Sequence, residues 1–431
     1  MTKRADGRVA SLHDPKRGMD VHNSLNGNRR VMSERGDHSR TVAERGGRGY
    51  VQRPFTHNGH EYGRRSSYRN GRYYHGFYGR YYYHGLYMDP YYPSYYYGAA
   101  YYGWVYNPWT APVAYAWGWG GNPWSGYYGG YFTPSPVYPN ASLWLTDYMI
   151  GNSLASAYQA QGNLQAAALT NPAPVTPYVK SLIAEDVRQQ IALENTEARA
   201  AGQNAEPDAA SSSIQRLLTD GKPHVFVAGS DLDVTDAAGT ECALSQGDAL
   251  QLRSQAAPDA QAIPLAVLAS KGGRECPQGA TVSVALPDLQ DMQNHMRESI
   301  DQGMQELQKN QGQGGLPAAP TAARVAPVES PVAASAPPPP PVAEVAAEIN
   351  RQLQEADRAE QEASTGMASL LPPPAAVPAA APVSIELGQT IDQVTAAMGT
   401  PLRIVNLAAK QIYVYKDMKI TFNSGKVTDI Q

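Results

Sequence analysis

Through the first 55 residues single valines stand at positions 9, 21, 31, 42 and 51, set among polar neighbours. Between them fall the turn signals Asp6-Gly7, Arg17-Gly18, Asn26-Gly27, Arg35-Gly36 and Gly46-Gly47. A turn roughly every ten residues with one apolar centre between turns is the spacing of a meander of short strands. Each strand is too polar to bury a face alone, so the units must stack or pair with more sequence of the same kind, which is expected to precede Met1.

The period changes to helical after Ser142, where Leu145, Tyr148, Met149 and Ala157 predict an amphipathic helix to about Gln161. Thr176 as N-cap and Pro177 at the first position open a second helix, with Val179, Ile183, Val187 and Ile191 on one face. Between residues 222 and 287 short strands return: Val225 to Ala228, Leu232 to Thr235, Ala249 to Leu252, Ile263 to Leu268 and Val282 to Leu286. The turns Ala238-Gly239 and Gln246-Gly247-Asp248 separate them, a pattern suited to a small barrel-like unit. A helix from about Asp288 to Asn310 then carries Leu289, Met292, Met296, Ile300, Met304 and Leu307 on one face. Packing on the barrel explains that stripe, and a self-associating coiled coil is the other reading.

Residues 311 to 382 are linker by composition, with stiff pieces at Pro337 to Pro341 and Pro372 to Pro374 and one isolated helix carried by Val345, Ile349, Leu353 and Ala356. After Pro382 the pattern is globular again. Thr390 and Gln393 form a capping box, Ile391, Val394 and Met398 mark a helix face, and Gly399 with Pro401 ends it. Strands follow at Leu402 to Leu407, Gln411 to Tyr415, Lys419 to Phe422 and Lys426 to Ile430.

The expected fold is therefore multi-part. It joins β-rich turn repeats (1–55), a low-complexity Tyr/Gly/Trp region (56–141), helices (142–200) and a small β-barrel-like unit with a helix (222–310). A disordered Pro/Ala linker (311–382) leads to a C-terminal α+β module of helix plus β-meander (383–431).

Composition adds what periodicity misses. Between Tyr50 and Tyr148 lie 24 of the 28 tyrosines and all six tryptophans, yet residues 81 to 179 hold no Lys or Arg and only two acids, Asp89 and Asp147. Gly and Pro break every periodic run there, and Tyr and Trp favour half-wet surfaces, so the region reads as an adhesive module. Charge is uneven too. Residues 1 to 80 carry 17 basic and seven acidic side chains, a net of +10, against −14 for the remainder. Such a basic arm implies a polyanionic or surface partner, or else a solvated charged face.

Arg64, Arg65, Arg69, Arg72 and Arg80 stand among Tyr73, Tyr74, Tyr82 and Tyr83, and Trp104, Trp109, Trp117, Trp119 and Trp124 continue the aromatic run. Guanidinium stacking on rings gives this set a binding reading, for self-association or for an anionic polymer. Arginines that merely keep the arm soluble are the alternative. Seven of the nine histidines precede residue 85, and His57 and His60 with Glu61 are the nearest approach to a metal set, though turn histidines explain them as well. Neither a Gly-x-Ser-x-Gly elbow, nor a phosphate loop, nor a His-Glu-x-x-His helix occurs, so no catalytic residues, cofactor or metal are expected. Arg35-Gly36-Asp37 is explained by a turn.

Cys242 and Cys276 are the only cysteines and share one β-rich unit; a bond between them implies an oxidising compartment, and two free buried thiols are the alternative. The opening Met1 to Gly7 has no apolar h-region, in conflict with export, so a truncated start is expected.

Residues 383 to 431 contain Gly388-Gln389-Thr390, Val394, Met398-Gly399 and Pro401, then Ile412-Tyr413-Val414-Tyr415 and Ile420-Thr421-Phe422-Asn423-Ser424-Gly425-Lys426-Val427. This segment resembles the BamE-like (SmpA/OmlA) family of outer-membrane lipoprotein modules. The resemblance implies a non-catalytic adaptor with an envelope protein as partner. The remainder is similar to a group of bacterial secreted or envelope proteins rich in Tyr and Gly. Gly46-Gly47-x-Gly49-Tyr50-Val51-Gln52-Arg53-Pro54, Tyr102-Gly103-Trp104-Val105-Tyr106-Asn107-Pro108-Trp109 and Leu143-Trp144-Leu145-Thr146-Asp147-Tyr148 carry that likeness, which implies export. The expectation is a non-enzymatic cell-envelope or secreted structural or interaction protein, periplasmic, outer-membrane-associated or released. It associates through its aromatic region with itself, an envelope polyanion or a polysaccharide. A cytoplasmic nucleic-acid-binding protein with an Arg/Tyr arm is the alternative, and nucleic acid is the poorer partner for an exported chain.

Overall fold

The computed structural model describes all residues except 5, 70–71, 162–168, 204, 207, 254, 258, 371–383, 408–409 and 417, and the side chains of 68, 69, 72, 366–370, 406 and 407. The chain forms two compact units, Met1–Gln361 and Glu362–Gln431.

The first unit begins as the expected meander: β1 (Thr2–Lys3), β2 (Val9–Asp14), β3 (Met19–Asn23), β4 (Arg29–Glu34), β5 (Arg40–Glu44), β6 (Arg48–His57), β7 (His60–Arg69) and β8 (Arg72–Gly79). A hairpin of β9 (Tyr81–Tyr83) and β10 (Leu86–Met88) follows, then β11 (Tyr91–Tyr92), which pairs on β8 and completes an antiparallel sheet of nine strands. The short β12 (Tyr95–Tyr96) leads to the helices α1 (Ala99–Tyr106), α2 (Pro123–Tyr127), α3 (Ala141–Gln161), α4 (Pro177–Ala201), α5 (Ala209–Ser212) and α6 (Ile214–Thr219). Then come β13 (His224–Val227), β14 (Leu232–Asp236), β15 (Glu241–Leu244), β16 (Ala249–Leu252), β17 (Ala262–Ala269), β18 (Thr281–Ala285) and the long α7 (Leu286–Asn310). The unit ends with β19 (Val328–Glu329), α8 (Pro331–Ser335) and most of α9 (Val342–Leu370).

Alternation along the meander divides its side chains between two faces. On β4, Arg29 reaches Asp357 and Glu360 of α9 while its neighbour Arg30 reaches Asp291 of α7 at 3.2 Å. Helix α9 therefore covers one face and α7 the other. The valines that set the strand rhythm, Val21, Val31 and Val51, are buried, and Ser33 hydroxyl donates to Gln352 at 3.0 Å. Stacking is supplied by α9, within this chain. The helix expected on Val345, Ile349, Leu353 and Ala356 is present as α9, but it is not isolated in a linker: Val345, Ile349, Ala356 and Ala359 form a buried stripe, and Ala-rich composition serves a packed helix as well as it serves a linker. Pro372 to Pro374 lie outside the described residues.

The barrel-like expectation for 222–310 is corrected. The six strands run β13-β16-β17-β18-β14-β15 in an open antiparallel sheet. Its two edges never meet because each is already occupied. Val225 N–H on β13 donates to Asp186 on α4 at 2.6 Å, and β15 pairs with the segment Arg274 to Cys276. Occupied edges need no closure. The second occupant is held by the Cys242–Cys276 disulfide, which closes a loop of 34 residues.

The Tyr/Trp region forms a core in place of a loose adhesive stretch. Tyr101, Tyr102, Tyr128, Tyr131, Tyr138 and Trp144 are each at most 1% exposed. Trp117 stacks between Trp119 at 4.2 Å and Trp144 at 4.7 Å. With almost no charge to solvate, the segment is free to be enclosed by α3, α4 and α7, and Gly and Pro let it turn irregularly among them. Gly303 on α7 marks how closely these helices approach, since a Cβ there would stand 2.4 Å from Leu145 of α3. The stripe of α7 is divided between this core, which takes Met296, Ile300, Met304 and Leu307, and the core of the six-stranded sheet, which takes Leu289 and Met292, so packing within the chain accounts for it and the coiled-coil reading falls away. Asp147, one of the region's two acids, is fully buried; it accepts from Tyr138 hydroxyl and pairs with Lys180 at 2.7 Å.

The second unit contains α10 (Ile391–Met398) and a meander of β20 (Arg403–Leu407), β21 (Lys410–Val414), β22 (Lys419–Asn423) and β23 (Lys426–Ile430). The capping box of Thr390 and Gln393 is present, and Val394, Ile420, Phe422 and Val427 are its buried centre.

Asp147→Ala strands the buried Lys180 ammonium and should lower the urea-unfolding free energy by about 3–5 kcal/mol, most of which Asp147→Leu with Lys180→Met should restore. A fragment from residue 384 to 431 should unfold in one cooperative step, and Phe422→Ala should remove about 3–5 kcal/mol, enough to abolish that step in so small a unit.

Candidate functional site

Between the meander and α7 lies a cleft of about 460 Å³. Its floor is the sheet face carrying Arg30, Val42, Tyr50, Arg65 and Tyr78, and its wall is α7 with Asp291, Glu298 and Asp301. Most of the arginine charge is met. Arg65 reaches Asp89 at 3.1 Å, lies 3.7 Å over the ring of Tyr78 and is held by Gln52, while Arg40 reaches the same Asp89. Tyr91 hydroxyl donates to Asp301 at 2.7 Å and Tyr91 N–H to Asn294 at 2.9 Å, so α7 is pinned to the end of the sheet.

The cleft also turns around the outer edge of β8. The registers Arg64↔Phe77 and Arg65↔Gly76 put Arg64, His75 and Phe77 on the far face, yet all three line the same space as Tyr74 and Tyr78 of the near face. Arg64 is the exception to the pairing. It is 9% exposed, its guanidinium lies 5.0 Å from the Phe77 ring, and its Nε and Nη1 meet no acceptor among the described residues. Burial lowers its pKa, and of the neighbouring carboxylates Glu329 opposes that shift. His75, bonded to Ser66 hydroxyl at 3.3 Å, is pushed down by burial and by the Arg64 charge, which keeps it neutral at pH 7.

The sequence-predicted residues separate into three places. Arg64, Arg65, Tyr73 and Tyr74 come together in the cleft. Arg80 and Tyr82 sit on the β9–β10 hairpin, where Tyr82 is 59% exposed, Tyr83 packs inward, and the Arg80 guanidinium lies 4.2 Å over Tyr87. Trp104, Trp109, Trp117, Trp119 and Trp124 belong to the aromatic core, Trp109 and Trp124 as buried members. The Arg72 side chain lies outside the described residues. Cys242 and Cys276 are bonded to each other. His57, His60 and Glu61 have separate partners, Ser335, Glu206 and His38, and no metal-holding group of three occurs among the described residues.

Periodicity missed the flank of α7. Gln290, Gln293, Asn294, Arg297 and Asp301 are buried polar residues flanking the apolar stripe, so the buried arc of α7 is wider than its apolar residues, while Asp291, Glu298, Gln302 and Gln305 on the opposite side line the cleft. Arg297 pairs with Glu197 at 2.8 Å and donates to Ser212 carbonyl, while Glu194, beside it on α4, is pushed up to about 8 by burial. The chain matches no family model, no curated protein and no solved structure.

The protonated Glu194 gives stability a pH dependence. Between its ordinary value and about 8 the folded state holds a proton that the unfolded chain has released, so stability declines as pH climbs through that window and levels off above it. Urea midpoints at pH 5 and pH 9 should differ by the equivalent of about 2–4 kcal/mol in the native chain. Glu194→Gln should shrink that difference to the smaller part left by Asp231 and Asp288, whose carboxyls burial pushes up to about 6.

Proposed function

We propose that this chain is a non-enzymatic protein of the cell envelope or secreted space that holds its partners through arginine- and tyrosine-bearing surfaces. The observation that carries the reading is the Cys242–Cys276 bond inside the six-stranded unit. Disulfides persist in oxidising compartments, and closing a loop of this length contributes about 3–4 kcal/mol. No helix among the described residues is long and apolar enough to cross a membrane.

The aromatic surface available for association is narrower than the aromatic sequence. Most rings are enclosed, and the β9–β10 hairpin presents Tyr82 and Tyr87, 59% and 58% exposed with rings 4.9 Å apart and Arg80 over one of them. An exposed Tyr pair under a guanidinium suits another copy of the chain or an envelope polysaccharide. The nucleic-acid reading is weakened by the ion pairs that occupy Arg4, Arg29, Arg30, Arg35, Arg40 and Arg53 within the chain. The helix and meander of the second unit are in keeping with a BamE-like adaptor, for which an envelope protein is the proposed partner.

Fractionating the native host and labelling thiols before reduction tests the compartment. Recovery in envelope or culture fractions with both cysteines protected is the expected result, whereas cytoplasmic recovery with two alkylated thiols sinks the reading. Tyr82→Ser with Tyr87→Ser should weaken self-association or polysaccharide retention by roughly tenfold, at about 0.5–1.5 kcal/mol for each ring removed, with the melting temperature unchanged.

A further inference from the structure

The outer edge of β8 is half used. Its inner side pairs with β7 over the full strand, whereas on the outer side β11 reaches only Tyr78 and Phe77. From Tyr73 to Gly76 no strand is paired on that side among the described residues. The alternation of an antiparallel ladder turns every second N–H and C=O of this stretch outward, into the cleft that wraps the edge.

Charge around this edge is arranged by face. On the far face the buried Arg64, which feels the charge of Glu329 in the same cleft, offers Nε and Nη1 with no acceptor among the described residues, beside the neutral His75 and the ring of Tyr73, whose hydroxyl donates to Pro340 carbonyl at 2.5 Å. On the near face the wall of α7 presents Glu298, Gln302, Gln305 and Glu306, with Tyr74 alongside. Successive residues of an added strand point to opposite faces. A strand laid on this edge would therefore place one side chain towards Arg64 and its two neighbours towards the acidic wall. A buried guanidinium without an acceptor is unfavourable, and a carboxylate is the group that satisfies it with two parallel hydrogen bonds.

We propose that the edge of β8 from Tyr73 to Gly76 is a docking site for an extended peptide of a partner protein, with a carboxylate on Arg64 and basic side chains flanking it. This rests on the interaction-protein reading above and names the class of partner. Strand addition supplies the main-chain hydrogen bonds, and the two-faced pockets supply selectivity. A free saccharide acid shares the carboxylate but cannot continue the ladder.

The test uses the full chain and defined peptides, titrated by calorimetry. Ac-Thr-Lys-Asp-Lys-Thr-NH2 should bind. Replacing its Asp by Asn should weaken binding by roughly ten- to a hundredfold, the equivalent of one charge-assisted pair, and so should methylating alternate backbone amides. The Asn peptide with a free C-terminal carboxylate reports whether a chain end can replace the side chain; binding through either carboxylate supports the proposal. Arg64→Gln should abolish the Asp-over-Asn preference without lowering the melting temperature by more than about a degree or two, since it removes a buried cation two of whose nitrogens meet no acceptor among the described residues. Equal binding of Asp and Asn peptides, indifference to amide methylation, or a trigalacturonate that binds at Arg64 where the peptides do not would overturn it. Those peptide arms need only the native chain, so they decide the matter even where a variant misfolds. Loss of the edge site with envelope recovery and the Tyr82 and Tyr87 effect preserved would refute this inference alone; cytoplasmic recovery with free thiols would remove the reading beneath it.

Discussion

Everything in the first unit leans on α7, and α7 is held in place by charge buried where water does not reach. Arg297 is fully enclosed and meets Glu197 at 2.8 Å, with Ser212 carbonyl as a second acceptor. One turn earlier Asn294 bridges the Tyr91 amide and the Asp89 carbonyl, and one turn later Asp301 takes the Tyr91 hydroxyl. A helix whose apolar side serves two hydrophobic cores while a polar strip beside it is also buried has one azimuth available. Rotating it by a single residue would strand an arginine and a carboxylate in apolar surroundings, each at several kcal/mol. This is why the cleft has a defined acidic wall: Glu298 and Asp301 face the sheet because Arg297 must face α4.

The same economy governs charge on a larger scale. The first 80 residues carry +10 and the rest −14, and much of that difference is cancelled inside the unit. Arg53, Arg35 and Arg29 meet Glu344, Glu348, Asp357 and Glu360 of α9, while Arg4 and Arg30 meet Asp233 and Asp291. A basic segment therefore need not advertise a polyanionic ligand when an acidic helix follows it in the chain. Exposed pairs of this kind contribute little each, but they set which helix lies on which sheet face. This pairing leaves Arg64 over, with two guanidinium nitrogens that meet no acceptor among the described residues.

Legibility in the sequence followed the length scale of the signal. The rhythm of Val21, Val31 and Val51 with Gly turns showed the meander, and Thr390, Gln393, Gly399 and the closing hairpin showed the C-terminal module, because both depend on contacts near in sequence. The bond between Cys242 and Cys276 was legible as one of two readings from their shared unit. Tyr101, Tyr138 and Trp144 were not legible as core, since their burial comes from α3, α4 and α7 and the segment itself has no period. Nor was the role of α9, whose Ala-rich run is equally a linker until a sheet with buried valines is placed beneath it. Of the cleft residues, Arg64 and Arg65 stood out by type, while only strand alternation sends one to the far face and its neighbour to Asp89.

Sheet edges are where such a molecule is most exposed to unwanted pairing, and most of the described ones are answered. β13 is closed by Asp186 of α4, β15 by the disulfide-held segment, and β23 by Gly388 and Gln389, which exchange hydrogen bonds with Val427. β1 is two residues long and ends in Lys3, a short charged edge that resists extension. Against that background the outer side of β8 is left open at a place where an unpaired arginine, a neutral histidine and two tyrosines converge. An edge that is merely neglected would be flat and indiscriminate. This one admits a partner only if its side chains alternate acid and base in the right register, so its openness and its selectivity arise from the same two strands.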